Sequence, residues 1–412
     1  MPQTQARSAM FALFVVLFID GLGQAIFFPI LVKALLDPNA ATLVAHASMA
    51  SRNLIYALVI GLYFLTWFLG AGVLGELSDR SGRKNALLVC MGGAATGYLL
   101  SALAFIFHSV ALLFIGRIIA GFTAGSQSIA QAAITDVSPP EKLTRNVGFI
   151  LMAVTIGMVM GPILGGVLSN ENLVSWFSVS VPLYVATALA VLNFILLAVS
   201  FKETSAKSER IRINLGKAIS VFVSAFKHDT VRYLSITFLA LQLGFSGYFL
   251  YISVYLLHHF HMTANGVTVY MVLLGIGFSI GFSFITRMLE PHKAKAKVII
   301  ICSYGVLAVG VLITWLASNI LWIWLVTIPM AAALSTGYSF MIAAFSAQVD
   351  QDRQGWVMGI SVSIMALAGG VIVIVAGLLS SISIALPLMV SVGLLALGIV
   401  LISCFTRRLA VD

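Results

Sequence analysis

Long apolar runs recur along nearly the whole chain, separated by short polar turns. They fall at 8–36, 53–77, 86–107, 109–135, 144–168 and 178–200, and again at 231–257, 264–286, 298–317, 319–347, 355–379 and 382–405. At 1.5 Å of rise per residue, about 20 apolar residues cross the roughly 30 Å hydrocarbon core of a bilayer. No water reaches that depth, so backbone groups must bond within their own segment, as they do in a helix. The pattern predicts an all-α membrane protein with twelve spanning helices, spans 1 to 12 in chain order.

One long polar stretch, FKETSAKSERIRINLGKAISVFVSAFKHDT at 201–230, separates six spans from six. The expected organisation is a six-helix bundle over 1–200, a cytoplasmic linker over 201–230 and a second bundle over 231–412. Within the linker, Leu215, Ile219, Phe222 and Phe226 recur at helical spacing beside Lys217 and Lys227. That spacing fits an amphipathic helix on the inner membrane face; a plain linker is the other reading. The halves also match weakly at a separation of 211 residues: Asp79 over Glu290, Lys84 over Lys295, Gly148 over Gly359 and Gly166 over Gly377. A constant offset across loops and spans points to a duplicated unit.

Composition agrees. Hydrophobic residues make up 60% of the 412 positions, charged ones 9%, and mean hydropathy is +1.07; a soluble domain is about a quarter charged. Span 1 is too long for a signal-peptide core and shows no cleavage site, so it is read as retained. The net charge of +9 reports orientation. Twenty of the 23 Lys and Arg lie at the N-terminus, in alternate loops or at the C-terminus, and only Lys33, Arg52 and Arg117 fall elsewhere. Such alternation follows the positive-inside rule, placing both termini in the cytoplasm and making nucleic acid no partner. Cys90, Cys302 and Cys404 all fall in spans and are read as packing residues. No metal-ligand spacing, phosphate-cradling loop or nucleophile–base set occurs in the sequence, so no enzyme, metal or cofactor is predicted. The absence of an Asn-x-Ser/Thr sequon fits a bacterial inner membrane.

Between spans 2 and 3, GELSDRSGRK gathers Gly75, Leu77, Asp79, Arg80, Gly82, Arg83 and Lys84. Glycines suit a tight turn and close helix approach, and acid beside base can pair or cap a helix. The stretch resembles the cytoplasmic signature loop of the major facilitator superfamily, G-x-L-x-D-R-x-G-R-K. The resemblance implies a latch between the halves in the outward-facing state. It directs Asp79 to the N-terminal end of span 11 and Arg83 to acids such as Asp136 or Glu141. Span 5 carries GMVMGPILGG, whose Gly157, Gly161, Pro162, Gly165 and Gly166 give a flat packing face with one loosened turn. It is similar to the superfamily's antiporter motif, G-x-x-x-G-P-x-x-G-G, which implies export in exchange for protons.

Two charges lie at membrane depth. Arg117 in span 4, followed by Gly121 and Gly125, resembles the signature whose arginine is tied to proton transfer. Asp20, with Gly23 and Pro29, resembles the span-1 pattern of the twelve-span drug–proton antiporters, including the tetracycline exporters, with Ala25 where a second glycine is usual. The resemblance implies that Asp20 carries the proton with Arg117 as its electrostatic partner. The chain departs from the tetracycline group by lacking acids in spans 3 and 9, which turns the reading away from tetracycline itself.

The expected cavity is lined by Gln24, Asn53, Tyr56, Gln127 and Gln131 on one side. Gln242, Phe245, Tyr248, Tyr251, Phe278 and Tyr338 line the other, an amide and aromatic surface suited to amphipathic organic molecules. Lys33, Arg52 and the cluster His258, His259 and His261 face the outer mouth against few acids, Asp37 and Glu171, which would favour an anionic or metal-chelating solute. The sequence is thus read as a monomeric proton-coupled exporter working by alternating access. A siderophore or carboxylate transporter on the same fold is the rival, and a non-transporting sensor a third reading.

Overall fold

The structure, a computed structural model, describes residues 3–37, 43–44, 46–137, 140–203, 215–228, 231–349 and 354–405. Side chains are described for these except 3–9, 131, 135–137, 140–151, 215, 217–218, 221, 293–294, 354–355 and 405. Among the described residues the regular structure is entirely helical, and eleven helices are long and apolar enough to cross a membrane. A shorter apolar segment, Met152–Leu168, belongs to the twelfth, Pro140–Leu168.

The spans lie where the apolar runs place them. Span 1 is Gln3–Ala25, continued by Phe27–Leu31 and a π-helical turn at Val32–Leu36. Spans 2 and 3 are Met49–Ser81 and Arg83–Ile106; spans 5 and 6 are Pro140–Leu168 and Val181–Ser200. Spans 7 and 8 are Arg232–His259 and Ala264–Ile280, and spans 9 to 12 are Ala296–Leu316, Ile320–Ser346, Gln354–Leu379 and Leu386–Phe405. The amphipathic stretch of the linker forms a helix, Leu215–Lys227. Spans 4, 8 and 10 open on side-chain caps: Ser109, Thr263 and Asn319 each accept from a backbone N–H two or three residues on.

Span 4 differs from the unbroken run expected. It divides into Val110–Phe122 and Ser126–Val137, with Thr123, Ala124 and Gly125 as a turn. Glycine at 121 and 125 weakens the helix there. Close approach by span 2 then holds the first half: a Cβ at Gly121 would stand 2.3 Å from the Tyr63 carbonyl oxygen, and one at Gly70 1.8 Å from that of Phe122.

The chain groups into two compact units, one of Met1–His46 with Leu62–Ile219, the other of Ala47–Gly61 with Ser220–Asp412. In the first, span 1 packs on spans 5 and 6, and span 3 on spans 4 and 6. In the second, span 7 packs on spans 11 and 12, and span 9 on spans 10 and 12. Adding six to each span number turns one set of pairs into the other, so the two bundles are pseudo-symmetric.

The tightest of these contacts is between spans 1 and 5. A Cβ at Gly157 would lie 2.2 Å from the Phe18 carbonyl oxygen, and one at Gly21 2.2 Å from that of Val154. At Gly161 it would meet the Ile26 nitrogen at 2.8 Å, and at Gly165 the Ile26 carbonyl oxygen at 2.6 Å. Backbone thus meets backbone over two turns of span 5, where van der Waals contact has to replace hydrophobic driving force. Pro162 sits inside this stretch, where its ring removes one hydrogen bond of the helix. Gly157→Leu should therefore overpack the contact and cost about 1–3 kcal/mol. Gly92→Leu should be tolerated, since a Cβ there meets only the Phe194 ring at 3.7 Å. Thermal unfolding of the two variants in detergent checks the contrast, and equal midpoints would refute it.

Candidate functional site

Asp20 lies on span 1 in the stretch that span 5 grips, and it is 7% exposed. The Ser126 hydroxyl donates to its Oδ2 at 2.5 Å. Ser126 is the first residue of the second half of span 4, so the break at 123–125 is what brings it to Asp20. The carboxylate consequently meets the start of a 12-residue helix, whose positive dipole end suits an anion. Beside it, Gly23 is forced by the neighbouring helix: a Cβ there would stand 1.6 Å from the Tyr98 hydroxyl oxygen. The Cys90 thiol and the phenols of Tyr63 and Tyr98 lie within electrostatic reach of Asp20.

Arg117 is 1% exposed. Its guanidinium carbon lies 4.0 Å from the centroid of the Phe27 ring and 4.1 Å from that of Tyr63. Two π faces thus take the planar cation, an arrangement a guanidinium suits better than an ammonium. Among the described residues Asp20 and Arg117 form no direct ion pair. The acid is held by a hydroxyl and the base by aromatic faces, with Phe27, Tyr63 and Tyr98 around them. Ser126, Phe27, Tyr63 and Tyr98 escaped the sequence reading. The Gly121/Gly125 spacing was a signal for the break beside Ser126; aromatics in a chain so rich in them carry none.

The signature loop turns at Gly82, whose φ of 95° lies in the left-handed region that favours glycine. Arg80 pairs with Glu76 at 2.7 Å. Arg83 donates to the Asp79 carboxylate at 2.7 Å and to the Ser78 hydroxyl at 2.8 Å. The side chains of Asp136 and Glu141 lie outside the described residues. Asp79, 71% exposed, takes Arg83 as its ion-pair partner. Gly75 makes no close approach, since a Cβ there would meet nothing within 4 Å. Lys84 Nζ donates to the Ala198 carbonyl.

Of the expected cavity residues, Gln24 lies one turn beyond Asp20 and Gln127 next to Ser126, both half-buried in the first unit. The Gln131 side chain lies outside the described residues. In the second unit, the Tyr56 hydroxyl donates to the Leu250 carbonyl at 3.3 Å, and Asn53 Oδ1 lies 3.3 Å from His258 Nε2. Phe245 and Phe278 join Phe249 in an aromatic cluster with centroids 5.4–6.3 Å apart. Tyr338 packs separately against Phe238 and Phe282. Tyr248 bonds the Tyr270 hydroxyl, another partner the sequence hid. Gln242 Oε1 and the Tyr251 hydroxyl are buried and have no hydrogen-bond partner within the described chain.

Several of the outer positions are engaged within the chain. Lys33 donates to the Ser169 carbonyl at 2.5 Å and to Glu171 at 3.3 Å, and buried Arg52 donates to the Ala47 carbonyl. His259 stacks on Tyr255 and His258 faces Asn53, while His261 stands at a φ of 51°. Among the described residues no three His, Cys, Asp or Glu gather as metal ligands.

Two substitutions test this site. Ser126→Ala leaves a buried carboxylate oxygen without its donor and should cost about 1–3 kcal/mol. Phe27→Leu removes one face from the Arg117 cation and should cost about 0.5–2 kcal/mol. Thermal unfolding midpoints in detergent read both, and either variant melting like the parent refutes its contact.

Residues 13–372 match the Major Facilitator Superfamily. The tetracycline resistance protein of class H from Pasteurella multocida is 27% identical over 355 residues, 85% of this chain and 84% of that protein. The class C tetracycline resistance protein from Escherichia coli is 28% identical over 358 residues, 86% of this chain and 85% of that one. The crystal structure of the human organic anion transporter MFSD10 (TETRAN) superposes with a TM-score of 0.75 at 19% identity, covering 98% of this chain and all of that one, a likeness of fold. With the match running through both bundles, this protein belongs to the major facilitator superfamily: it is an integral membrane transporter of small molecules and not an enzyme.

Proposed function

We propose that the protein is a proton-coupled antiporter that exports a small amphipathic organic compound by alternating access. It would act as a monomer in a bacterial inner membrane with both termini in the cytoplasm. The observation that carries this reading is the Asp20 site. A single carboxylate at membrane depth is held by a neutral hydroxyl, with the cation of Arg117 nearby on aromatic faces. A neutral donor can stay bonded to either protonation state of the acid, so a proton can be gained or lost without dismantling the site. Protonation changes the local charge, and a conformation favoured by one charge state is disfavoured by the other.

Support comes also from span 5. Its Gly157, Gly161 and Gly165 lie against the backbone of the helix that carries Asp20, so any shift of the acid is passed to a second helix. The bacterial relatives are named for resistance to a drug, tetracycline, which accords with this reading. Asp79 and Arg83 act as the cytoplasmic latch in this reading, and Gln24, Gln127 and the Phe245–Phe249–Phe278 cluster contact substrate. Spans 7 to 12 hold no membrane-depth charge, so substrate contact there is amide and aromatic, which suits a neutral or weakly basic compound over a strongly cationic one. The rival anionic or siderophore cargo would meet one cation fewer, because Lys33 is already engaged by Glu171 and a backbone carbonyl.

Inside-out vesicles given an acid interior and a proton-sensing acridine dye test the proposal. Chloramphenicol, tetracycline, ethidium and citrate serve as neutral, zwitterionic, cationic and anionic probes. One of the first two should evoke proton release and accumulate in the vesicles. Asp20→Asn, which keeps shape but cannot titrate, should abolish the coupled flux while leaving the protein folded. Concentrative transport that survives Asp20→Asn would sink the assignment, and proton release evoked by citrate alone would favour the anionic rival.

A further inference from the structure

The signature loop is held by a residue outside it. Span 3 begins at Arg83, directly after Gly82, and its first N–H groups have no partner within the helix. Glu203, just past the end of span 6, fills that gap. Its Oε1 accepts from the Arg83 N–H at 2.7 Å and its Oε2 from the Lys84 N–H at 3.1 Å. A Cβ at position 82 would lie 2.1 Å from Oε2, so glycine is needed for the carboxylate to fit as well as for the positive φ. Lys84 returns the contact by bonding the Ala198 carbonyl at 2.7 Å, and Phe201, at the exit of span 6 between Ala198 and Glu203, is fully buried. Arg83 is thus gripped twice, its backbone by Glu203 and its guanidinium by Asp79 and Ser78.

We infer that Glu203 is a positioning residue of the signature loop: by capping span 3 it fixes the register in which Asp79 and Arg83 are presented, and it ties that register to the end of span 6. An anion on two free N–H groups at a helix start gains from both hydrogen bonds and dipole. No side chain within GELSDRSGRK makes this cap, and the acid nearest it in sequence, Asp79, accepts from the Arg83 guanidinium instead. The inference rests on the latch reading of the loop.

The test uses the full chain in lipid nanodiscs and inside-out vesicles, with Glu203→Ala, Glu203→Gln and Asp79→Asn. Amide hydrogen exchange over 82–86 reads the cap itself. Glu203→Ala should accelerate it by about three- to thirty-fold, the range expected for losing such a cap. Glu203→Gln, which keeps one acceptor oxygen and no charge, should fall between. The second readout is the rate at which an impermeant maleimide added from the cytoplasmic side labels Gln127→Cys, in a background with Cys90, Cys302 and Cys404 changed to Ser. Glu203→Ala should raise it by a similar factor, with Glu203→Gln again between, because a loosened latch opens that side more often. Unchanged exchange overturns the cap, and faster exchange with unchanged labelling reduces Glu203 to a local stabiliser and overturns the positioning role. Asp79→Asn separates the two readings. If it leaves labelling unchanged the latch reading fails, whereas labelling raised by Asp79→Asn but not by Glu203→Ala overturns this inference alone.

Discussion

A charge at membrane depth costs about 2.5–3.5 kcal/mol even on lenient insertion scales, and the first unit is arranged around two of them. Asp20 gets a hydroxyl because span 4 breaks and restarts at Ser126. Arg117 gets two ring faces because Phe27 lies two turns along span 1 from Asp20 and Tyr63 comes from span 2. Each solution depends on neighbouring backbones coming close. Gly121 admits Tyr63 of span 2, Gly23 admits Tyr98 of span 3, and Gly157 admits the helix of Asp20 itself. Small residues in this unit are the means by which large and charged ones are accommodated.

The second unit faces a milder problem. Its buried hydroxyls mostly bond back to carbonyls of their own helices: Thr314 to Gly310, Thr327 to Ile323, Ser335 to Ala331, Ser361 to Val357 and Ser391 to Pro387. Such bonds satisfy a polar group without any neighbour and leave a helix surface that packs as if apolar. Polar links between its helices include those of two phenols, from Tyr248 to Tyr270 and from Tyr255 to the Trp315 carbonyl. The two bundles therefore share a helix-pairing pattern but not an electrostatic one. This unit, free of charge at depth, can vary its cavity surface without unsettling a buried ion.

The twelve spans were legible because the hydrophobic run is the one signal a bilayer demands of every segment. The glycines of span 5 were legible for a related reason, since small residues repeated every four positions let membrane helices pack backbone to backbone. The partners of the charges were not. The resemblance implies Arg117 as electrostatic partner of Asp20 but says nothing of the faces of Phe27 and Tyr63 that hold it, two of many aromatics in an apolar chain. The turn at 123–125 hid because Thr and Ala interrupt no hydropathy pattern. Glu203 hid because a polar stretch between bundles reads as solvated linker, and nothing local ties it to a turn 120 residues earlier.

The contact between Asp20 and Ser126 also orders events during synthesis. The two residues are 106 apart, and at about 5–20 residues per second that gap takes on the order of 5–20 s to translate. Span 1 is therefore inserted with its acid and must wait while three more helices arrive, the last of them delivering the hydroxyl. Span 5, whose backbone grips the same helix, comes later still. Through that interval the nascent chain carries an acid without its hydroxyl partner, which must stay protonated or keep to a hydrated or protein-lined environment. The first helix of this transporter thus has reason to linger at the insertion machinery until its fourth and fifth neighbours release it.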